Sequence, residues 1–563
     1  MGRLGFGFGS LTRGRPGPAG PPSTAMQALS VREDGWRMSV ANPADLSFQP
    51  VAVARPGFDR TGSAVDWQEQ MRLTKRVRKP YPQQAEFTGD DVALSDYVYA
   101  SDSLPGVANA SLAVSPKPIA AWIMPSRETV ADSVLWEIVA FHRDARPDPL
   151  DGIGRQVACV RVRASNGAQS TAWQSVSTTA ISQSCEDACP VEAYIGTLDI
   201  AALDEGMFWL EAEVFPWFGT AASVLRSEEQ TAHREFSRRY FLKDAARAAS
   251  PPLVYVSSTG NNATGAVSSD PAIAAANPCL TVGGALGRAR AQLGAAQGSL
   301  DGLRIRVVDG VSMGAVPYQA DYPQDVGAVI VERAPASSRA NAVISWTSAL
   351  RLYFKSHTAP ITEGALTFRE VTIDRHAGTT IYGEAANKLL VQFHDVAFVN
   401  NGQPGTMRSN THLAVFGMTM TGYANTFSLT TSGQMRMLRG LVTDLNNAGP
   451  ESWVTVGCAL HRANGCFNAD PGRGAIFASN RYLSPTANTG PLLFTGKTAG
   501  SDLGPLAIVQ NLIEVTHTAT TACVRLSADD DLGAITHAVI QHNTTTGTGQ
   551  LGRWNVFYDE HHS

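Results

Sequence analysis

Between Leu366 and Thr443 the chain repeats one pattern four times: Leu366-x-Phe368-(Arg-Glu)-Val371-x-Ile373, Val391-x-Phe393-(His-Asp)-Val396-x-Phe398, Leu413-x-Val415-(Phe-Gly)-Met418-x-Met420 and Arg436-x-Leu438-(Arg-Gly)-Leu441-x-Thr443. The copies lie 25, 22 and 23 residues apart. Inward parity shifts by one at the bracketed pair, so each copy reads as two short strands joined by a two-residue corner. A fixed corner returning at a nearly fixed spacing is one bent turn of a solenoid; a large sandwich explains it poorly. The register returns with longer connections in Phe477-(Ala-Ser)-Asn480-x-Tyr482, Ile508-(Val-Gln)-Asn511-x-Ile513 and Ile540-(Gln-His)-Asn543-x-Thr545. Stacked amides at Asn480, Asn511 and Asn543 would pass hydrogen bonds from turn to turn, so these three are expected to form a structural ladder. Residues 254–563 are therefore expected to form a right-handed parallel β-helix with Val371, Val396, Met418 and Leu441 stacked inside. About 310 residues in turns of about 22 to 32 give roughly 10 to 13 rungs, a rod on the order of 50 to 60 Å long.

The stretch before the repeats is patterned differently. From 42 to 244 short runs alternate, as in Leu135-Trp-Glu-Ile-Val-Ala-Phe141, Val157–Val162 and Phe208–Phe215, and read as strands. The passage from Thr197 to Val214 resembles the strand, turn, strand passage of immunoglobulin-like sandwich modules, with Gly206 where the turn needs positive φ. That implies a β-sandwich region and a spacer role. Residues 245–253 read as a linker, and 1–41 as an extended docking segment with a short Gly-X-Y run, Gly14-Arg-Pro, Gly17-Pro-Ala, Gly20-Pro-Pro. Three such triplets hold a triple helix only where three copies are already joined, so the run reads as an extended tether that is compatible with a trimer. Phe6 and Phe8 are the candidate particle-docking anchors.

With this organisation the whole chain is expected to be all-β. Charged residues are only 17% of it and the net charge is −5, which suits turn-rich β architecture and argues against a nucleic-acid partner. The basic run Lys75–Lys79 reads as a solvated segment. No stretch is apolar for long enough to span a membrane, and the N-terminus lacks the apolar region of a signal peptide. Cytoplasmic synthesis is the expectation, and seven scattered cysteines fit a reducing compartment. Cys185 and Cys189 are a close pair with no second pair near them in sequence, which favours a reduced or locally bridged loop over a metal site.

Two resemblances follow from quoted residues. Val254-Tyr-Val-Ser-Ser-Thr-Gly-Asn and Pro278-Cys-Leu-Thr-Val-Gly-Gly-Ala-Leu resemble the opening strand and capping helix of pectin-lyase-like β-helices. On that helix Val282, Ala285, Leu286, Ala289 and Leu293 share one face, suited to covering the open end. Docking peptide, sandwich and β-helix in this order resemble tail fibres and spikes of phages, prophages and gene-transfer particles. Val53–Gly62 and Thr74–Pro82 are also similar to tail proteins of alphaproteobacterial phages. The resemblance implies a structural virion tail protein assembled in the host cytoplasm. It implies a homotrimer, bound to other tail or baseplate proteins through the N-terminus and meeting host surface polysaccharide. A bacterial adhesin is the rival that a missing signal peptide disfavours.

Reactive chemistry is sparse. Glu370 and Asp395 occupy the same corner position on successive turns, about 5 Å apart in an ideal stack, the carboxyl separation of a retaining glycosidase, with His376 and His394 near in sequence. They are the candidate catalytic pair of a tailspike hydrolase or lyase, weighed against outward carboxylates that are merely solvated. Asp374 and Asp444 lie three turns apart, too far for joint action. Asp529-Asp-Asp531 lacks the alternating ligand spacing of a calcium loop. No metal or cofactor is expected.

Overall fold

The computed structural model describes residues 28–32, 35–39, 117–142, 146–147, 154–216, 223–227, 236–294, 298–314 and 328–346, and then 351–354, 364–375, 380–383, 389–399, 406–408, 411–417, 419–420, 428–429, 434–439, 441–443, 452–461, 475–484, 492–496, 505–515, 524–528 and 538–547. Phe6, Phe8, the Gly-X-Y run, the segments Val53–Gly62 and Thr74–Pro82, His376, Met418, Asp444, Asp529–Asp531 and the side chain of Leu441 lie outside the described residues. Strands account for 49% of the described residues and helices for 10%, so this part is all-β.

The chain forms two compact units, one of Met1–Pro118, His142–Val160 and Val214–Leu225, the other of Ile119–Phe141, Arg161–Glu213 and Arg226–Ser563. In the first, Ala28–Arg32 and Gly35–Ser39 pair antiparallel, Leu29 opposite Met38 and Val31 opposite Trp36. A hairpin therefore stands inside the segment expected to be extended.

In the second unit, parallel strands dominate. One sheet has eleven strands, from Leu253–Val256 through Gly364–Arg369, Leu389–His394, Thr411–Phe416, Gln434–Leu438, Ser452–Val456, Ala475–Ala478 and Leu506–Val509 to Ala538–Gln541. A second sheet has ten, from Val311–Ser312 through Thr372–Arg375 and Ala397–Val399 to Thr544–Gly547. From Gly364 onward the chain visits the two sheets alternately, and each strand pairs with the next visit to its own sheet: Phe368 with Phe393, Phe393 with Val415, Ile373 with Phe398. One such visit to both sheets is called a tier below. Leu366, Phe368, Val391 and Phe393, with Val371, Ile373 and Val396, are fully buried. The rings of Phe368 and Phe393 stack at 5.4 Å. Each such side chain contributes about 1.5–3 kcal/mol by leaving water.

The register corrects one repeat. Arg436 pairs with Ala414 and Met435 with Leu413, while Leu441 pairs with Thr419. The strand and corner from Arg436 are thus shifted by one residue from the expected alignment, because the left-handed corner residue is Arg439, φ 56°. A further tier, Trp453-x-Thr455-(Val-Gly)-Cys458-x-Leu460, follows after the shortest spacing, 18 residues from Arg439 to Gly457.

The other face of the eleven-stranded sheet is also apolar. Ala365, Leu390, Phe416, Leu438, Val454, Val456, Ile476, Ala478, Ala507, Val509 and Val539 form one cluster with Ile119, Ala121, Ile123, Val139, Phe141, Val191 and Ala193. Most of the latter belong to a four-stranded antiparallel sheet, ordered Ala180–Ser182, Val191–Asp199, Ser133–Phe141, Ile119–Trp122. A parallel sheet covered on both faces reads as near-continuous apolar runs, which is why Ala475-Ile-Phe-Ala478 and Leu506-Ala-Ile-Val509 are buried at every position. Trp122 and Trp136, on the reverse of the four-stranded sheet, are fully buried. A six-stranded sheet follows, ordered Thr129–Val130, Arg239–Lys243, Gly206–Phe215, Cys159–Ser165, Gln174–Val176, with Leu225–Arg226 beside Gly206–Phe215. Gly206 has φ +129°, as its turn requires.

The expected linker carries a short helix, Ala245–Ala249, capped by Asp244, and Arg247 donates to the carbonyls of Gly298 and Asp301. The capping helix is Val282–Leu293, N-capped by Thr281, with Val282, Ala285, Leu286 and Ala289 buried. Leu293 departs from expectation: it is 37% exposed at the helix end. Among the described residues no helix is long and apolar enough to cross a membrane.

Candidate functional site

The corners form a column. Glu370, Asp395, Arg439, Ser479, Gln510 and His542 take φ between 49° and 57°, and Gly417 and Gly457 take 69° and 62° at the same place in their tiers. A side chain in this left-handed region costs roughly 1–2 kcal/mol, so the corner imposes the conformation on whatever residue stands there. Its compensation is a backbone bond between tiers: Glu370 N–H donates to His394 O at 2.8 Å, Asp395 N–H to Phe416 O at 2.7 Å, Gly417 N–H to Leu438 O at 2.9 Å.

Glu370 and Asp395 thus occupy adjacent corners, yet their carboxyl groups turn to opposite neighbours. Arg333 grips Glu370 through Nε at 3.0 Å and again through Nη2, and donates to Ser337 O as well. Asp395 folds over Gly417, where a Cβ would collide with its Oδ1. Loss of hydration there, and then the charge of Glu370, raise the Asp395 pKa; the guanidinium groups of Arg339, Arg369 and Arg439 oppose the rise. One member of the candidate pair is held by an arginine, and the other still feels its charge.

His394 is no partner to them. It sits on the covered face of the eleven-stranded sheet, 8% exposed, with its ring 4.7 Å from that of Phe416. Burial, and then the charge of Arg369, push its pKa down to about 3. Its Nε2 has no hydrogen-bond partner among the described residues.

The asparagines stack and bond as a chain. Asn511 Oδ1 accepts from Asn480 N and from Asn480 Nδ2, both at 3.0 Å, while Asn511 Nδ2 donates to Phe477 O at 2.9 Å and Asn543 Oδ1 at 2.8 Å. Asn480 repeats the pattern one tier earlier, donating to Thr455 O and accepting from Cys458 N. Asn543 Nδ2 donates to Ile508 O. Every one of these bonds satisfies corner backbone or another ladder amide, so the three residues hold the corner.

A loop of the four-stranded sheet lies against the middle of the column. Arg439 pairs with Glu137 and donates to Ser182 Oγ at 2.7 Å and Gln183 O at 2.6 Å. Cys185 N–H donates to Gly457 O at 2.9 Å. Cys185 and Cys189 are free thiols, and burial raises the pKa of Cys189. Arg333, Arg339 and Arg439 are site residues that the repeat pattern does not point to, because each precedes an Ala or Gly and not an apolar inward position. Among the described residues no group of three or more His, Cys, Asp or Glu is placed to hold a metal. No family model, no curated protein and no solved structure matches this chain.

Proposed function

We propose that residues 253–547 are a right-handed parallel β-helix, that the two sheets between Ile119 and Lys243 form an immunoglobulin-like sandwich seated on it, and that the chain is a structural tail-tip protein of a phage-like particle. The observation that carries the β-helix is the shared register of the eleven- and ten-stranded parallel sheets, visited alternately with one left-handed corner between them. The particle assignment rests on the order of segments and on the tail-protein resemblance. In this reading the N-terminal segment with Phe6 and Phe8 docks on other tail or baseplate proteins, three copies assemble, and the β-helix surface meets host polysaccharide. The hold of Arg333 on Glu370 favours binding over hydrolysis as its role.

Purified phage-like particles, probed by mass spectrometry and by antibody labelling in the microscope, test this directly. The expected result is the protein at the tail tip, with a solution mass of three chains. Finding it on intact cells and absent from particles would replace the reading with a surface adhesin. New reducing ends or unsaturated sugars released from host polysaccharide, and lost in Asp395→Asn, would restore the depolymerase.

A further inference from the structure

The loop that lies on the corner column is the end of a hairpin. Its arms, Ala180–Ser182 and Val191–Asp199, pair antiparallel with Ser182 opposite Val191, and the residues from Gln183 to Pro190 join them. At the tip Ala188 N–H donates to Cys185 O at 2.8 Å, closing a turn over Glu186 and Asp187. Stem and tip keep one register, because Cys185 faces Ala188 three residues beyond the pairing of Ser182 with Val191. Cys185 and Cys189 therefore stand on opposite arms, offset by one residue.

The tiers beneath set the spacing of the two arms. Cys185 N–H donates to Gly457 O at 2.9 Å, and Cys189 Sγ donates to Asn480 O at 3.8 Å. Gly457 and Asn480 belong to successive tiers, joined by Gly457 N–H to Ala478 O at 3.1 Å. Successive tiers stack about 4.8 Å apart, and a disulfide spans Cα atoms roughly 4.4–6.8 Å apart. The hairpin is anchored on both sides of the pair: Arg439 and Glu137 hold Ser182, and Val191 lies in the apolar cluster. It also lies so close to the column that a Cβ at Gly457 would meet Val191 Cγ2 at 2.7 Å and Ser184 Cβ at 3.3 Å. Both thiols of the hairpin are free and half-buried, whereas those of Cys159, Cys279 and Cys458 are buried, and a buried thiol is the inert kind.

We infer that Cys185 and Cys189 are a redox modification site, closed to a disulfide by a small-molecule disulfide of the glutathione class. One thiolate attacks a sulfur of oxidised glutathione and expels a glutathione thiolate; the other then displaces the second glutathione from the mixed disulfide. Two protein thiols are oxidised, one glutathione disulfide is reduced, and the two protons pass to the departing thiolates. The bridge would fix the hairpin end that spans the tiers of Arg439, Gly457 and Asn480, and so hold the four-stranded sheet on them. In a reducing compartment the pair stays open. The site does not depend on the assignment of the chain to a particle.

Full-length protein is equilibrated in buffers of graded reduced-to-oxidised glutathione ratio, folded or in concentrated urea, then quenched with acid, alkylated and mapped by mass spectrometry. A bridge between Cys185 and Cys189 is expected, half-formed in the folded protein at a ratio at least about tenfold more reducing than the unfolded chain needs, because the hairpin brings the sulfurs together in advance. Oxidised protein should melt above reduced protein. Cys189→Ser should stop at the mixed disulfide on Cys185 and gain nothing in the melt from oxidation, while its reduced form melts with the reduced parent and so controls for folding. Equal ratios folded and unfolded, a bridge from either residue to a different cysteine, a mixed disulfide that does not resolve in the folded parent, or an oxidised melt no higher than the reduced one would each overturn the inference.

Discussion

Replacing Asn511 by alanine is expected to cost about 3 kcal/mol. Four hydrogen bonds vanish with the amide, but their consequences differ. Asn480 Nδ2 keeps Thr455 O, and Asn543 Oδ1 keeps the Asn511 backbone N–H. Asn480 N–H loses the acceptor the amide gave it, inside a corner where Asn480 is fully buried. An unsatisfied buried donor costs about 1–3 kcal/mol, and the lost bond to Phe477 C=O adds about 1 kcal/mol, which sets the estimate. Asn543→Ala should cost about half as much, since Asn543 is half-buried and makes three such bonds. Asn480→Ala combined with Asn511→Ala should cost about 1 kcal/mol less than the sum, because the two share the bonds between them. Urea unfolding followed by circular dichroism, with all variants in one protocol, reads these differences from the midpoints. A cost below about 1 kcal/mol for Asn511→Ala, or strict additivity with Asn480→Ala, would refute a ladder in which each amide satisfies the tier before it.

Three further outcomes follow from the corners and the covered sheet. Gly417→Ala should destabilise by about 1–2 kcal/mol, from the left-handed backbone and the collision with Asp395, and adding Asp395→Ala should recover part of the loss in a thermal melt. Arg439→Met should cost about 2 kcal/mol and make the 182–191 loop cleavable by protease, because Glu137 loses its cation and the loop loses two hydrogen bonds. His394 stays neutral in the folded chain, its pKa pushed down to about 3, while the unfolded chain protonates near 6.5. Its contribution is complete above pH 6.5 and is lost as pH falls from there toward 3, by up to about 1.4 kcal/mol per pH unit; His394→Phe should flatten the stability profile over that window.

The parallel tiers were legible because inward positions, corner and spacing all repeat in the sequence: Val371, Val396 and the asparagines fall where their pattern predicts. Two things were hidden. The left-handed corner holds Glu, Asp, Arg, Ser, Gln and His as well as Gly, so no single residue type marks it, and the tier around Arg439 is shifted by one. The tier at Trp453 was missed because Thr455 replaces an apolar inward residue and the spacing shortens. The covering of the eleven-stranded sheet was written in outward Val454, Val456, Ile476 and Val509, which strict alternation treats as noise. The candidate pair was legible only as a position. Nothing in the sequence tells that Glu370 leans to Arg333, a partner 37 residues away, and Asp395 to Gly417.

The apolar seam between the four-stranded and eleven-stranded sheets decides where this chain can be cut. Sequence places a natural boundary near Pro252, and a fragment beginning there would keep every parallel strand of the eleven-stranded sheet. It would also be stripped of Ile119, Ala121, Val139, Phe141 and their neighbours, leaving a band of Leu, Val, Phe and Ile on bare sheet from Leu390 to Val539. Such a band is an adhesive surface. The strands from Ile119 to Ala193 thus belong to the same core as the tiers, and a fragment that keeps that sheet covered begins before Ile119, not after Ser250.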